Sequence, residues 1–305
     1  MMKTLTCSIG VMAYNEEANI KHLLMSLLNQ RLSKCKICEI VVVGSGCTDN
    51  TVPIVESIAK LNSIVKLLVQ EKREGKASAI DLFLSVAKGD IVIIESGDTI
   101  PEKNTIENLT RPFQDPNIGM TGAHPIPINS NDTFMGFTVN LFWQMHHELA
   151  LKHPKLGELI AFRNIVHAMP KDTAVDEAII EHIITKTGYR IHYAEDAIVR
   201  NKGPDTIIDF LKQRRRIMVG HKHLQIKNGY MVSTMKIANL LGLFNRHLKD
   251  TSWNFKTLLW TGGAVILEFL GRLLGNYDYY IKKKNPIVWD IAHTTKNLKN
   301  DPTYS

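Results

Sequence analysis

Asp98 stands in the run Ile94-Glu95-Ser96-Gly97-Asp98-Thr99, directly after an apolar stretch. A carboxylate in that position can close a turn. A hard divalent cation already bound to a diphosphate, however, needs only one or two protein carboxylates, because phosphate oxygens and water complete its shell. Asp98 is therefore a candidate ligand for Mg2+ or Mn2+, with Glu95 in support. Asp176 and Glu177 open a helix-like stretch after Pro170. Acids in a first helical turn meet the positive end of the helix dipole, and they are also suited to taking a proton from a hydroxyl. Adjacent positions leave a helix in different directions, so one of the two is the candidate base and the other is structural.

A third cluster is Lys212-Gln213-Arg214-Arg215-Arg216, followed by Gly220 and His221. Guanidinium forks suit a diphosphate leaving group, which makes Arg215 and Arg216 candidate donor contacts, with the Gln213 amide beside them. His221 is a second candidate metal ligand. Such a run can also be a solvated face or a nucleic-acid patch, but it lacks interleaved stacking aromatics and any nucleic-acid motif, so no nucleic-acid partner is expected. In Lys72-Arg73-Glu74-Gly75-Lys76-Ala77, Gly75 at a helix start offers backbone N–H groups to an anion, and Lys76 or Arg73 adds charge. The P-loop spacing is missing, which argues against an ATPase.

These groups need elements to position them. Leu5 to Met12 reads as a buried strand, and Glu16 to Leu28 as a helix with Ile20, Leu23, Leu24, Leu27 and Leu28 on one face. The alternation repeats through Glu39 to Val43, Asn50 to Leu61, Ile64 to Val69, Gly75 to Ala87 and Ile91 to Ile94, predicting a parallel sheet wound with helices. EIVVVG and DIVIIE are near-continuous β-branched runs, as in strands covered on both faces. Ligands of such sheets sit at the strand carboxyl ends. The polar segments there are AYNEE, GSGCTDNT and ESGDT, which bring Ala13, Tyr14, Glu17, Ser45, Ser96 and Gly97 to one crevice. Pro101 to Pro127 is more broken. A helix over Phe134 to Leu151, a GELIAFR strand, a helix from Asp176 to Thr187, a GYRIHY strand and a helix from about Asp205 to His221 follow without a linker. One continuous catalytic domain over residues 1–225 is expected.

Taken in order, these segments resemble glycosyltransferase family two, with the GT-A fold, over roughly residues 5–223. Tyr14-Asn15-Glu16-Glu17 resembles that family's first nucleotide-contact segment, and GSGCTDNT its Asp-Asp-Gly-Ser-Thr-Asp loop. EGKASAI and ESGDTIP are similar to its Gly-Lys-Ala and DxD segments, VDEAIIEHIITKTGYRIHY to its Glu-Asp helix and Gly-Tyr strand, and QRRRI to Gln-x-x-Arg-Trp. The resemblance implies a mixed, mostly parallel α/β sheet flanked by helices. It also implies inverting transfer of a sugar from a UDP- or GDP-sugar to the hydroxyl of a lipid- or polysaccharide-linked glycan. By position, Glu17 would contact the base, Asp98 would hold Mn2+ or Mg2+, and Asp176-Glu177 would supply the catalytic base. Ser45 and Ser96 replace acids of the family pattern, and Ile217 replaces its Trp. The Glu-Asp order is reversed, so spacing to Gly188-Tyr189 points to Glu177 while chemistry also permits Asp176. The rival reading is a nucleotide- or polyanion-binding protein that keeps the fold without catalysis.

The chain has 305 residues, with 37 Lys and Arg against 30 Asp and Glu, a modest excess of positive charge that suits phosphate-bearing ligands or anionic lipid. Four cysteines, Cys7, Cys35, Cys38 and Cys47, are too few for a disulfide scaffold. The N-terminal run lacks the pattern of a signal peptide. Both point to a cytoplasmic setting. Residues 226–305 read as a helical extension. Tyr230 to Phe244 and Thr257 to Leu274 are richly apolar, but Glu268 and Arg272 interrupt the about 20 apolar residues that a bilayer crossing requires. With Trp253, Trp260 and Lys282 to Lys284 flanking them, these helices could lie in the interface of the cytoplasmic membrane face. They could equally pack on the core or on a second subunit.

Overall fold

A computed structural model describes residues 4–170, 173, 175–233, 254–284, 287, 292–296 and 298. Eight strands form one sheet: β1 (Leu5–Ala13), β2 (Cys35–Ser45), β3 (Val65–Gln70), β4 (Ile91–Ser96), β5 (Thr99–Pro101), β6 (Ile118–Pro127), β7 (Ile160–Arg163) and β8 (Arg190–Asn201). Their order is β3-β2-β1-β4-β7-β6-β8-β5. The first four strands run parallel, β7 enters antiparallel between β4 and β6, and β6 and β8 are again parallel.

The β-branched strands are covered on both faces, and their alternation divides the core. Ile9 and Val11 of β1, Ile40 and Val42 of β2, and Ile91 and Ile93 of β4 pack with α1 (Ile20–Leu28) and α2 (Thr51–Leu61). Val41, Val43, Val92 and Ile94 point the other way, against α3 (Lys76–Leu84) and α6 (Asp176–Lys186). Gly10 permits the close approach of α3, since a Cβ there would lie 2.3 Å from the Phe83 ring. Between these helices in the chain are α4 (Thr105–Thr110) and α5 (Phe134–Ala150), and after them comes α7 (Ile207–Asn228). Thr133 and Thr206 cap α5 and α7 by accepting hydrogen bonds from Gly136 and Asp209, and Gly229 closes α7 in the left-handed region.

The Pro101 to Pro127 stretch holds more regular structure than its sequence indicates. It contains β5, α4 and the ten-residue strand β6, which lies inside the sheet. Along β6, strand β7 pairs with Met120 to Gly122, so the β6 edge at Pro125 and Pro127 lies beyond that pairing.

The last described helix, α8 (Phe255–Tyr280), lies along α7. Gly271 and Gly275 allow the contact, because a Cβ would come within 2.6 Å of Arg214 and 2.5 Å of Met218. Glu268 pairs with Arg214 at 3.0 Å and with Arg272 at 2.8 Å. Helix α7 continues to Asn228, past the boundary expected at residue 225. Most of the apolar stretch Tyr230 to Phe244, and Trp253, lie outside the described residues.

Candidate active site

The carboxyl ends of β1, β2 and β4 meet as the parallel register requires. The loops after β1 and β2 are stitched together by side chains. Asn15, at φ 52°, donates from Nδ2 to Thr48 Oγ1 at 3.1 Å and accepts from Thr48 N at 2.8 Å. Glu17 Oε2 accepts from Asn50 N at 3.0 Å and from Asn50 Nδ2 at 2.8 Å, while Asp49 accepts from the Glu17 amide at 3.1 Å. Asp49 also caps α2 through Thr51, which commits that acid to holding the loop. Arg73 stacks 4.2 Å over the Tyr14 ring. The Ala13 carbonyl accepts from the Cys47 thiol, and Ser45 Oγ is buried without a hydrogen-bond partner among the described residues. At the end of β4, Gly97 N donates to Met12 O at 3.0 Å, and a Cβ on Gly97 would lie 2.7 Å from Glu16 Cγ.

Beyond this crevice lies a cluster of charges. Lys76, at the start of α3, reaches the start of α6: its Nζ is 2.9 Å from Glu177 Oε1 in a hydrogen bond and 2.8 Å from Asp176 Oδ2. The second contact is ionic and not aligned for a hydrogen bond, so Asp176 Oδ2 keeps no aligned donor. Burial opposes the ammonium charge, but Asp176 and then Glu177 outweigh it and hold Lys76 protonated well above the usual lysine range. Burial also opposes ionisation of Glu177, yet Lys76 pulls its carboxyl down to about 2. Asp176, buried more deeply, is raised chiefly by desolvation. Arg216 faces Asp176, Glu177, Glu158 and Asp98. Asp98, half-buried past β4, makes no hydrogen bond or ion pair with the described residues.

The fold has counterparts among known proteins. The family model described as glycosyl transferase family 2 matches residues 8–183, more than half of the chain. The chain belongs to glycosyl transferase family 2. Poly-beta-1,6-N-acetyl-D-glucosamine synthase of Staphylococcus aureus is 24% identical over 261 residues, covering 82% of this chain and 62% of the synthase. The chain thus spans about three fifths of the length of that relative. The glycosyltransferase GlyG of Streptococcus pneumoniae is 32% identical over 108 residues, 35% of each chain. Among solved structures, the mannosyltransferase PcManGT of Pyrobaculum calidifontis superposes with a TM-score of 0.65 at 20% identity, over 91% of this chain and 88% of that one. Glucosyl-3-phosphoglycerate synthase of Mycobacterium tuberculosis gives a TM-score of 0.52 at 20% identity, over 75% and 81%. The GT-A fold is shared with these enzymes.

Within this family-2 frame, the structure sorts the residues singled out in the sequence. It gathers Lys76, Asp98, Asp176, Glu177 and Arg216 in one cluster, and Ala13, Tyr14, Glu17, Ser45, Ser96 and Gly97 at the neighbouring strand ends. Arg215 is turned elsewhere: its guanidinium donates to both oxygens of Asp278 on α8, at 2.7 and 2.9 Å. Gln213 makes no described contact with the acids. His221 is buried and its imidazole is held neutral, pushed down to about 3 by burial and then by Lys155. The acid that faces it is Glu177 rather than Asp98.

Among the described residues no group of three or more His, Cys, Asp or Glu side chains could hold a metal ion unaided. The neighbouring acids are already engaged. Burial raises Glu95 to about 8, and Thr99 donates to its carboxyl. Burial and then Asp98 raise Glu16 to about 8, and Lys296 pairs with it. Asp98 at the β4 end is not engaged in this way, which fits a cation that arrives with a diphosphate and brings most of its shell with it. Three site residues carry no sequence signal of their own: Glu158, Glu16 as a buried acid, and Lys296, which reaches back to Tyr14 O at 2.9 Å.

Proposed function

We propose that this chain is an inverting, metal-dependent glycosyltransferase that moves a hexose from a UDP- or GDP-sugar to the hydroxyl of a lipid- or polysaccharide-linked glycan. The observation that carries the reading is the meeting of one open carboxylate, Asp98, with the Asp176-Glu177 pair clamped by Lys76. The structural neighbours support the donor class, since one was solved with GDP-Man and Mn2+ and another with UDP-glucose and Mn2+.

Asp98 would hold Mn2+ or Mg2+ bound to the donor diphosphate, where the ion supplies charge for the departing nucleotide. Arg216 adds a fixed positive charge on the same side. Glu177 is the base: its side chain is 24% exposed against 6% for Asp176, and a base must reach the hydroxyl proton it removes. Asp176 shares Lys76 and keeps its ammonium in place. Attack by the acceptor oxygen from the side opposite the diphosphate inverts the anomeric centre.

The test is manganese-dependent release of UDP or GDP from sugar nucleotides. Asp98→Ala and Glu177→Gln should abolish turnover with folding intact, while Asp176→Asn retains more. Saturable nucleotide binding without turnover by the unaltered chain would instead establish the non-catalytic binder.

An exposed face of α8 supports work at a membrane surface. Phe255, Leu259, Ile266, Phe269 and Leu273 project away from α7, and Lys256 and Lys282 to Lys284 flank them. The helix is long and apolar enough to cross a bilayer by length and composition, but its ion pairs with α7 favour lying flat. Flotation with anionic liposomes tests this: Ile266→Glu with Phe269→Glu should leave the protein in the soluble fraction.

A further inference from the structure

The turn that leads into β7 carries an acid for which the transferase reading provides no role. Glu158 lies in Leu156-Gly157-Glu158-Leu159 and adopts φ 60°, in the left-handed region. The turn is tied on both sides, with Leu159 N donating to Gly157 O at 2.8 Å and Ala123 N donating to Leu159 O at 2.9 Å. The Leu156 side chain fills the space above Gly122, where a Cβ would come within 2.7 Å. Strand β7 pairs antiparallel with β4, Ile160 opposite Ile94. The pairing ends there, so the turn that carries Glu158 and the segment Ser96-Gly97-Asp98 leave the sheet at the same end of the two strands.

Around Glu158 stand Asp98, Glu177, Lys76 and Arg216. Its carboxyl makes no hydrogen bond or ion pair with a described residue, whereas the neighbouring acids are committed: Asp176 and Glu177 to Lys76, Glu95 to Thr99, and Glu16 to Lys296. Burial and then Asp98 push its carboxyl up to about 7 against the pull of Lys76 and Arg216, and its oxygens keep acceptor capacity that a ligand's hydroxyls can fill. The transferase reading, on which this inference rests, places the diphosphate at Asp98 and the acceptor hydroxyl at Glu177. The transferred sugar ring must then lie between them, in the region that Glu158 faces. We propose that Glu158 accepts hydrogen bonds from hydroxyls of the transferred sugar and so helps to select it. An uncharged acceptor group at this position would bind the same hydroxyls more weakly.

The experiment is isothermal titration of the full chain with UDP, GDP, UDP-glucose and GDP-mannose, each with Mn2+. Glu158→Gln should weaken the sugar nucleotide about tenfold while leaving the matching free diphosphate unchanged, because hydrogen bonds to charged groups are the stronger ones. Glu158→Asn, which tolerates the left-handed backbone, should reproduce the result if the glutamine variant folds poorly. Equal weakening of the free diphosphate would make Glu158 a metal or structural group and overturn the proposal, as would unchanged affinity for every ligand. If the unaltered chain binds none of the four ligands, the transferase reading fails and this inference falls with it. That outcome is distinct from a wild type that binds and a variant that binds equally well.

Discussion

Lys76 and Glu177, separated by 101 residues in the chain, are joined by a 2.9 Å hydrogen bond that ties the start of α3 to the start of α6. The same ammonium touches Asp176, so one cation sets the charge of both acids. Removing it should move the pH dependence of catalysis in a direction fixed by electrostatics. Lys76 favours the ionised forms, so Lys76→Met leaves two adjacent acids to repel each other, and they must then share a proton at higher pH. The acid limb of the kcat profile should rise by about one unit or more, and Lys76→Arg should largely restore it. An unshifted limb in the methionine variant would mean that neither acid is the base.

Buried protonated acids give the protein an unusual pH dependence of stability. Glu95 and Glu16 are raised from 4.5 to about 8, burial being the largest cause for each. Between those values the folded chain holds protons that the unfolded chain has lost, so stability falls as pH rises through that window. Urea denaturation should show lower stability at pH 8 than at pH 7, a range above that in which the neutral His221 gives a slope of opposite sign. Glu95→Gln, which cannot titrate, should reduce the slope; an unchanged slope would show that Glu95 is ionised in the folded state.

Glycines at the crevice can be tested independently of chemistry. Gly10→Ala drives a methyl into the Phe83 ring and should cost about 1–3 kcal/mol of stability. Gly97→Ala meets the pinned Glu16 side chain at 2.7 Å from Cγ and the Met12 carbonyl oxygen at 3.2 Å, and should impair donor binding as well as stability. Thermal melts with and without UDP and Mn2+ separate the two. A Gly97→Ala variant with normal nucleotide affinity would place the diphosphate away from this turn.

Much of this arrangement was legible because β2 and β4 carry near-continuous β-branched runs, β1 is a largely apolar strand, and the polar carboxyl ends of all three stand out. Strand β6 escaped notice because Gly119, Gly122, Pro125 and Pro127 interrupt its apolar alternation, and only the sheet pairing shows that the prolines lie beyond the β7 contact. The basic run illustrates a different limit. Helical geometry sends Arg214 and Arg215 to Glu268 and Asp278 on α8, and Arg216 to the acids. Neither partner helix can be identified from the run itself. Glu158 is one acid in a short turn, and its importance depends on the pairing of β7 with β4.

Lys296 and Glu16, 280 residues apart, form a pair that no local pattern announces. Asn19 donates to the Lys296 carbonyl at 2.8 Å and accepts from Leu298 N at 3.1 Å, so Lys296 and Leu298 are anchored beside the nucleotide-contact segment. Lys296 opposes the burial that raises the Glu16 carboxyl, and Lys296→Met should raise it further. Below pH 5 Glu16 is protonated in either protein, so the variant should cost little there. At pH 8 the wild type gains from the pair and the variant loses that gain, about 1–3 kcal/mol for a charged hydrogen bond. Adding Glu16→Gln to Lys296→Met should recover part of the loss, giving a coupling energy in a double-mutant cycle. A cycle that closes with no coupling at pH 8 would show that the pair does not hold the crevice together.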